Sequence, residues 1–427
     1  MLPRCVVSES HGEAMFPPQD ADVQLQRREA PADAAYEKIL RKMARYPTMG
    51  SLRRSSFWKE HAPTIEARLR RVQRGEPPRP HDPPGRVQRL RLVHWNVERG
   101  KQFRAVLQNL KEHPALRAAD IVFLNEVDVG MARSRNRHVA RELAEELNLH
   151  WAFAASYIEL SKGIREETQA PGTNSESLHG VAILSRQPFE RCHRAELPEV
   201  FDAFSFAEKR YGRKAGLIVR FGAPWGNLVA ATAHLEVRHT PQGRRRQLEA
   251  LLGEIDRFLE QQELRRHPVA LAGDFNSHTF PRANVLHTAR AAGRLLATPI
   301  EQLAEELAEP WRGDREPLFR ALHEAGYSFR NLNDRAPTVT ILLRGVEETE
   351  ILPARLRRWM DRAASLGERV LPMRLDWFAA RFLSAAGGGR SRGFFVRRAA
   401  TVVPDTVDGL VPSDHLPLVL ELETQGA

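Results

Sequence analysis

The 427-residue sequence predicts an α/β fold in which two stacked β-sheets are flanked by helices. From residue 89 onward, short apolar runs with β-branched residues alternate with amphipathic segments of helical period. The apolar runs are many and the helical segments are few, which favours stacked sheets. A hydrophobic fraction of 42% is typical of a globular protein. These observations predict a layered core preceded by an extension of different character.

The first 87 residues form this extension. Residues 1–33 are polar without clear periodicity, and we expect them to be disordered. Residues 34–87 are predicted to be helical with a Pro-rich end, because 34–46 and about 57–74 place apolar side chains on one helical face. The stretch RGEPPRPHDPPGR at 74–86 cannot join a helix or a central strand. It therefore predicts a linker at a domain boundary.

Residues 88–424 are predicted to form one domain with a mainly helical insertion at about 290–370. Short β-type runs bounded by turn residues indicate the strands. The predicted strands cover 90–97, 119–127, 151–160, 179–186, 217–221, 227–235, 268–275, 374–382, 393–402 and 416–423. Apolar residues at helical spacing predict helices at 103–113, 137–149 and 243–262.

Six of the apolar runs break at a polar residue. These residues are Asn96, Glu126, His234, Asp274 with Asn276, Asp376, and Asp414 with His415. One such residue would be an ordinary turn cap, since Asp and Asn are favoured in turns. Six in one chain indicate a shared site where strands emerge from a core. In GDFN, alternation along an extended chain predicts that Asp274 and Asn276 point the same way and that Phe275 points into the core.

The residue types at these positions restrict the chemistry. Glu126 and Asp414 are hard oxygen donors, which suits Mg²⁺ with water and phosphate in the remaining positions. Asn96 and Asn276 offer amides that can orient water or a phosphate oxygen. No cysteine or paired-histidine spacing indicates zinc.

The histidines add proton transfer and positive charge. His234 and His415 can transfer protons near neutral pH or contact phosphate as cations. A carboxylate beside a histidine raises its pKa and fixes its tautomer, and Asp376 could do this for His415. Metal, activated water, proton donor and phosphate clamp together predict a phosphoester hydrolase.

The ordered series HWN, LNE, ATAH, GDFN, RLDW and SDH resembles the endonuclease/exonuclease/phosphatase superfamily, which has the deoxyribonuclease I-like fold. The resemblance covers about residues 88–424. It implies a four-layer α/β sandwich with two mainly antiparallel or mixed sheets packed face to face between helices. It also implies a phosphoester hydrolase that depends on Mg²⁺ or Mn²⁺.

The resemblance also implies roles for the residues at the matching positions. Glu126 would be the main metal ligand, and Asn96 and Asp414 would assist at the metal and the phosphate. Asp274 would activate or orient the attacking water, and Asn276 would fix the phosphate.

The histidines take the remaining implied roles. His415, paired with Asp376, would contact and polarise the scissile phosphate. His234 would donate a proton to the leaving oxygen, where abasic-site repair members carry a tyrosine. A phosphodiesterase or nuclease is the favoured interpretation. A sphingomyelinase-like or inositol-phosphatase-like esterase and a catalytically silent binding module are the alternatives.

Some polar residues near the motifs leave two interpretations open. Arg133, Arg135 and Arg137 could contact an anionic substrate or lie in a solvated loop. For the arginines at 244–246, a solvent-facing role is the favoured interpretation. His239 and His278 are expected at the surface.

The composition bears on partners and location. The net charge of +10 favours an anionic partner such as nucleic acid, although more than half of it lies in residues 1–90. The sequence has two cysteines and no signal peptide, which predicts a cytoplasmic protein. It has no apolar run of membrane-spanning length, so no integral membrane segment is expected. The sequence leaves the substrate, the metal count and the oligomeric state open.

Overall fold

The computed structural model describes residues 34–79, 89–222, 228–281, 284–342, 370–382 and 394–424. The predicted disordered tail, residues 80–86 of the predicted linker and residues 343–369 of the predicted insertion lie outside the described residues.

Fifteen strands lie within the described ranges. Their bounds are β1 (Val72–Gly75), β2 (Arg89–Arg99), β3 (Ile121–Val129), β4 (His150–Glu159), β5 (Leu178–Ser185), β6 (Phe189–Glu196), β7 (Arg210–Gly212), β8 (Ala215–Phe221), β9 (Val229–Ala233), β10 (Val269–Asp274), β11 (Val339–Leu342), β12 (Val370–Met373), β13 (Asp376–Arg381), β14 (Phe394–Thr401) and β15 (Leu418–Thr424). The larger sheet has the order β1-β4-β5-β3-β2-β15-β14, with β7 paired to β4. The smaller sheet has the order β13-β10-β9-β8-β6, and β11 pairs with β12 separately.

The α-helices of the described ranges lie outside the two sheets. Their bounds are α1 (Ala34–Ala44), α2 (Met49–Arg53), α3 (Ser56–Arg70), α4 (Phe103–Glu112), α5 (Val139–Leu147), α6 (Pro241–Gln261), α7 (Val285–Ala297), α8 (Ile300–Ala308) and α9 (Leu318–Glu324). None of them is both long enough and apolar enough to cross a bilayer.

Three apolar clusters separate four layers. The cluster between the sheets joins side chains of both, and Phe123 of β3 meets Phe378 of β13 with ring centroids 6.2 Å apart. A second cluster joins the outer face of the larger sheet to α1–α5. A third joins the outer face of the smaller sheet to α6 and α9. The predicted α/β sandwich of two sheets between helices is therefore confirmed.

The N-terminal helices share a core with the larger sheet. Ile65 and Leu69 of α3 are buried in the same cluster as Phe153 of β4. After α3 the chain continues into β1, which pairs antiparallel with β4. In this pairing Gly75 lies opposite Trp151. Residues 74 and 75, predicted to be linker, are thus the end of an edge strand, where proline can follow without breaking a ladder.

Replacement of Ile65 by alanine tests whether extension and sheet fold together. Ile65 has no exposed surface, so Ile65→Ala is expected to lower the free energy of unfolding by about 2–5 kcal/mol. Denaturant unfolding should show one transition by both fluorescence and circular dichroism. The exposed neighbour gives the control Thr64→Ala, which should change stability by less than about 0.5 kcal/mol. Two separate transitions would contradict a shared core.

Candidate active site

The candidate site lies where the inward-facing residues of five strands change from apolar to polar. Side chains two residues apart share one face of a strand. In β2 the inward-facing positions are Leu92, His94 and Asn96, of which Leu92 lies in the cluster between the sheets. The other four strands change from apolar to polar in the same way. Their inward-facing residues are Phe123 and Asn125 in β3, Ala230, Thr232 and His234 at β9, Ala272 and Asp274 in β10, and Phe378 and Asp376 in β13. The site is therefore the polar end of the inter-sheet core.

Asp274 lies at the centre of this polar end. Its backbone N–H donates to Asn125 Oδ1 at 2.7 Å, which ties the two sheets together. Its Oδ2 accepts from Asn96 Nδ2 at 3.2 Å. The same oxygen lies 3.5 Å from His234 Nε2 and 3.8 Å from His415 Nε2. One buried carboxylate oxygen thus faces two histidines and an amide.

Asn276 reaches the site by a turn and not by strand alternation. Its φ of 49° is left-handed, so the expectation that Asp274 and Asn276 point the same way along an extended chain is wrong. The Asn276 N–H donates to Asp274 Oδ1 at 2.9 Å, and its side-chain amide donates to the Leu235 carbonyl at 2.9 Å. Phe275 points into the core as expected. The turn-cap interpretation of GDFN is therefore confirmed, and the same cap positions the Asp274 carboxylate.

Asp376 holds two histidines. Its Oδ2 lies 2.7 Å from His415 Nδ1, and its Oδ1 lies 2.8 Å from His94 Nε2. Burial opposes the charged form of both members of the Asp376–His415 pair, but their mutual attraction is stronger. It holds the pKa of Asp376 far below its usual range and raises the pKa of His415 well above it.

Glu126 lies at a break in the strand pairing. Its φ of 52° falls within register shifts against both neighbouring strands, and this turns the side chain out of the ladder. The carboxylate accepts from Asn96 Nδ2 at 3.3 Å, and lies 3.7 Å from Arg99 Nε and 3.9 Å from His234 Nδ1. Burial opposes ionisation, but Arg99 and the nearby histidines hold the pKa of Glu126 below its usual range.

Asp414 lies apart from the buried residues. It is exposed, and its Oδ1 accepts from Ser413 Oγ at 3.4 Å. Within the described part of the chain it makes no hydrogen bond with Glu126 or Asn96. Ser413 fixes the segment, because its hydroxyl also donates to the Asn96 carbonyl at 2.6 Å.

A second set of atoms could also hold a metal ion. Ligand atoms of Asp274, Asp376 and His415 lie within 4.8 Å of one another and are buried. Both oxygens of Asp376 already bond to His94 and His415, however. A metal there would have to displace one of these bonds, whereas Glu126 accepts only one hydrogen bond among the described residues. The Glu126 carboxylate is therefore less engaged in hydrogen bonds than that of Asp376.

The pKa values differ across the site for physical reasons. Burial and the facing Asp376 carboxylate raise the pKa of Asp274 to about 7. Burial and the charge of Lys214 hold the pKa of His234 well below its usual range. Lys214 is itself buried, and burial outweighs Glu236 in lowering its pKa. Near pH 7, His415 is therefore cationic, His234 is neutral, and Asp274 can exchange a proton.

Several site residues escaped the sequence analysis. His94 and Asn125 lie inside predicted strands, two residues and one residue before a predicted site residue. His94 could have been predicted as a site residue, because it lies two residues before Asn96 and so faces the same side of the strand. Thr338 accepts from the Leu375 and Asp376 N–H groups at 3.0 and 3.3 Å, and it lies in a loop without a motif.

Three side chains expected near solvent or substrate are buried. Arg133 bonds both oxygens of Asp128 at 2.8 and 3.0 Å, so neither a substrate contact nor a solvated loop describes it. Arg244 pairs with Glu316 at 2.5 Å and is buried, not solvent-facing. His278 is also buried and its Nε2 lies 3.1 Å from the Val237 carbonyl. The partners of Arg244 and His278 are distant in sequence, whereas Asp128 lies five residues before Arg133.

The family assignment follows from sequence comparison. The profile described as the Endonuclease/Exonuclease/phosphatase family matches residues 93–415. This match covers most of the chain and all of the inward-facing polar residues described above. The chain belongs to the endonuclease/exonuclease/phosphatase family. A search of curated proteins gave no match.

Solved structures with a similar fold come from several organisms. An endonuclease/exonuclease/phosphatase from Beutenbergia cavernae has 19% identity and a TM-score of 0.45, over 80% of this chain and 73% of that one. The human Nocturnin catalytic domain with bound sulfate has 14% identity and a TM-score of 0.41, over 79% and 94%. TDP2 from D. rerio with a single-strand DNA product has 16% identity and a TM-score of 0.42, over 79% and 100%. The likeness is one of fold.

Replacement of Asp376 by asparagine tests the charge pairing. In the folded protein the raised pKa of His415 adds stability that is present below about pH 6.5 and is lost as the pH rises through the folded value. Asp376→Asn is expected to lower the pKa of His415, measured by NMR titration of the imidazole, and to flatten this loss of stability. The control Glu254→Gln removes the half-exposed partner of His193 and should leave His415 unchanged. A neutral His415 at pH 7 in the wild type would contradict the pairing.

Proposed function

We propose that this protein is a divalent-metal-dependent phosphoester hydrolase, in particular a phosphodiesterase or nuclease that uses water as the nucleophile. One observation carries the proposal. Glu126 and Asp274 both contact Asn96 Nδ2, at 3.3 and 3.2 Å, and both face His234. A metal-binding carboxylate and a water-orienting carboxylate therefore share one small polar space, as hydrolysis of a phosphoester requires.

The donors around Glu126 fit Mg²⁺ or Mn²⁺. Glu126 is anionic near neutral pH and its side chain is 21% exposed, so its oxygens are accessible. Carboxylate and amide oxygens are the ligands that Mg²⁺ prefers, with water and substrate phosphate completing the shell. Glu126 would hold the ion, and Asp414 would assist from the exposed side. Asn96 turns its Nδ2 toward Glu126 while its Oδ1 accepts from the Glu98 N–H at 3.1 Å, so its amide would have to rotate to offer its oxygen to the ion. When bound, the ion would neutralise negative charge on the phosphate oxygens.

Asp274 is the proposed general base. Asn125 accepts from its backbone N–H, and the Asn276 N–H and Asn96 Nδ2 each donate to one of its carboxylate oxygens, which orients the carboxylate. Its pKa near 7 lets it accept a proton from water at neutral pH. Asn276 contributes chiefly through its backbone N–H to Asp274, and we propose that it fixes the phosphate as part of the same turn.

The two histidines would have different roles at the phosphate, because they differ in charge near pH 7. His415, kept cationic by Asp376, would contact the scissile phosphate and stabilise its negative charge. His234 is neutral near pH 7, which suits a hydrogen bond to the leaving oxygen more than donation of a proton before reaction. Lys214 is also buried, and its ammonium form lowers the pKa of His234.

The class of phosphoester is the finer part of the proposal. The net charge of +10 supports a polyanionic substrate such as nucleic acid, because positive charge attracts phosphate backbones. The low cysteine content supports a cytoplasmic location.

Hydrolysis of a chromogenic diester, bis(p-nitrophenyl) phosphate, tests the mechanism. Activity is expected with Mg²⁺ or Mn²⁺ and should be lost in EDTA. Glu126→Gln and Asp274→Asn should each lower kcat/KM by about 10²–10⁴-fold, the range for loss of one catalytic group. Glu145→Gln on an exposed face of α5 is the matched control and should keep wild-type activity. Activity that survives EDTA and both substitutions would refute the metal mechanism.

A substrate panel in Mg²⁺ tests the class. Single- and double-stranded oligonucleotides, sphingomyelin vesicles and inositol phosphates should be compared by product analysis at equal phosphate concentration. The proposal expects cleavage of oligonucleotides above the other substrates. Preference for sphingomyelin or inositol phosphates would replace the nuclease assignment with the corresponding esterase. Binding of inorganic phosphate without any turnover would indicate a silent binding module.

A further inference from the structure

A second carboxylate–histidine pair lies on β3 and β5. His179 of β5 is directly opposite Asp128 of β3, and His179 Nδ1 lies 2.8 Å from Asp128 Oδ1. The pair matches the 2.7 Å contact between His415 Nδ1 and Asp376 Oδ2. In both pairs the carboxylate takes Nδ1, which leaves Nε2 on the far side of the ring.

Buried ion pairs fix Asp128 in place. Arg133 donates to both of its oxygens, at 2.8 and 3.0 Å. Arg133 is fully buried and also bonds Glu208 at 2.6 Å and Glu159 at 3.4 Å. Because a fork-shaped guanidinium allows one orientation of the carboxylate, the imidazole of His179 is held in one orientation too.

The Nε2 atom of His179 is open to a ligand. Among the described residues it has no hydrogen bond. Among the described residues, several polar side-chain atoms without a hydrogen bond are fully buried, as Nδ1 of His94 is, but Nε2 of His179 is not one of them. Since His179 is only 5% exposed in total, its accessible surface is small and includes this atom.

Strand order places His179 beside the proposed metal ligand. Across the larger sheet, neighbouring strands β5, β3 and β2 carry His179, Glu126 and Asn96, and β15 follows His415. His179 lies opposite Asp128, which follows Glu126 by two residues on β3. The two carboxylate-held histidines therefore lie on opposite sides of Glu126 in the order of strands.

We propose that His179 is a further substrate-binding residue of this site, which in its imidazolium form donates its Nε2–H to a phosphate oxygen of the substrate on the β5 side of Glu126. This inference rests on the proposed function. His415 would contact the phosphoester from the β15 side, so the substrate would be held from both sides of the metal ligand. Asp128 is the positioning residue that acts through His179.

Steady-state kinetics of His179→Leu and His179→Gln test the proposal. Loss of one hydrogen bond to phosphate should raise KM for bis(p-nitrophenyl) phosphate in Mg²⁺ by about tenfold, with a smaller change in kcat. Glutamine retains a polar group, so His179→Gln should recover part of the loss. The matched control is His193→Leu, which removes a histidine paired with Glu254 at 3.0 Å outside the site. It should leave KM unchanged.

Calorimetric titration with inorganic phosphate in Mg²⁺ separates this inference from the proposed function, since it needs no turnover. Wild type should bind phosphate about tenfold more tightly than His179→Leu, at unchanged Tm. An unchanged phosphate affinity and KM in a folded His179→Leu would overturn the role. A rise in KM and a weaker affinity that are explained by a lower Tm would also overturn the role. Absence of phosphate binding by the wild type would overturn it too. If the leucine variant does not fold, His179→Gln decides by the same criteria.

Discussion

Two buried carboxylates face each other across neighbouring strands, and the site depends on how their repulsion is balanced. Asp274 of β10 and Asp376 of β13 are direct partners in the antiparallel register. Like charges at such positions destabilise a sheet, and burial increases the cost. Two histidines compensate one of the two carboxylates fully, which leaves the other with a pKa near 7. Asp376 is thus held in its charged form near neutral pH, while Asp274 can exchange a proton.

The sandwich makes this arrangement possible, because it supplies a dry core that ends in a polar layer. Apolar side chains between the sheets continue directly into Asn96, Asn125 and Asp274. Asn125 contacts the other sheet twice, through Thr232 Oγ1 at 3.0 Å and through the Asp274 N–H. The separation of the sheets therefore fixes the separation of the functional groups, and a change in core packing would be felt at the site.

The sequence predicted the fold and the strand-end residues well for one reason. A charged or amide side chain that interrupts a strongly apolar run is a strong signal, and Asp274 and Glu126 both gave it. Strands with polar composition escaped prediction, as in β6, whose residues are mostly half-buried or exposed at a sheet edge. Edge strands need no continuous apolar run, so periodicity does not reveal them.

Residues that act through distant partners could not be predicted in the same way. Arg133 and Arg244 are expected at the surface by type, and only the fold brings Glu208 and Glu316 to them. His179 carried no motif of its own, because its partner Asp128 lies 51 residues earlier in the chain. The turn at Asn276 also differed from an extended strand end, since a backbone N–H to a preceding carboxylate stabilises a left-handed residue.

The position of β1 has a consequence for self-association. A terminal strand of a sheet exposes unpaired N–H and C=O groups, which can recruit a strand from another molecule. Here the chain covers the side of β4 with the three residues of β7 and the four residues of β1, and β1 is followed at once by Glu76, Pro77 and Pro78. Short length and proline are two of the means by which proteins make such an edge a poor template for intermolecular pairing. The segment before the family-matched region thus makes this edge of the larger sheet a poor template for pairing with another molecule.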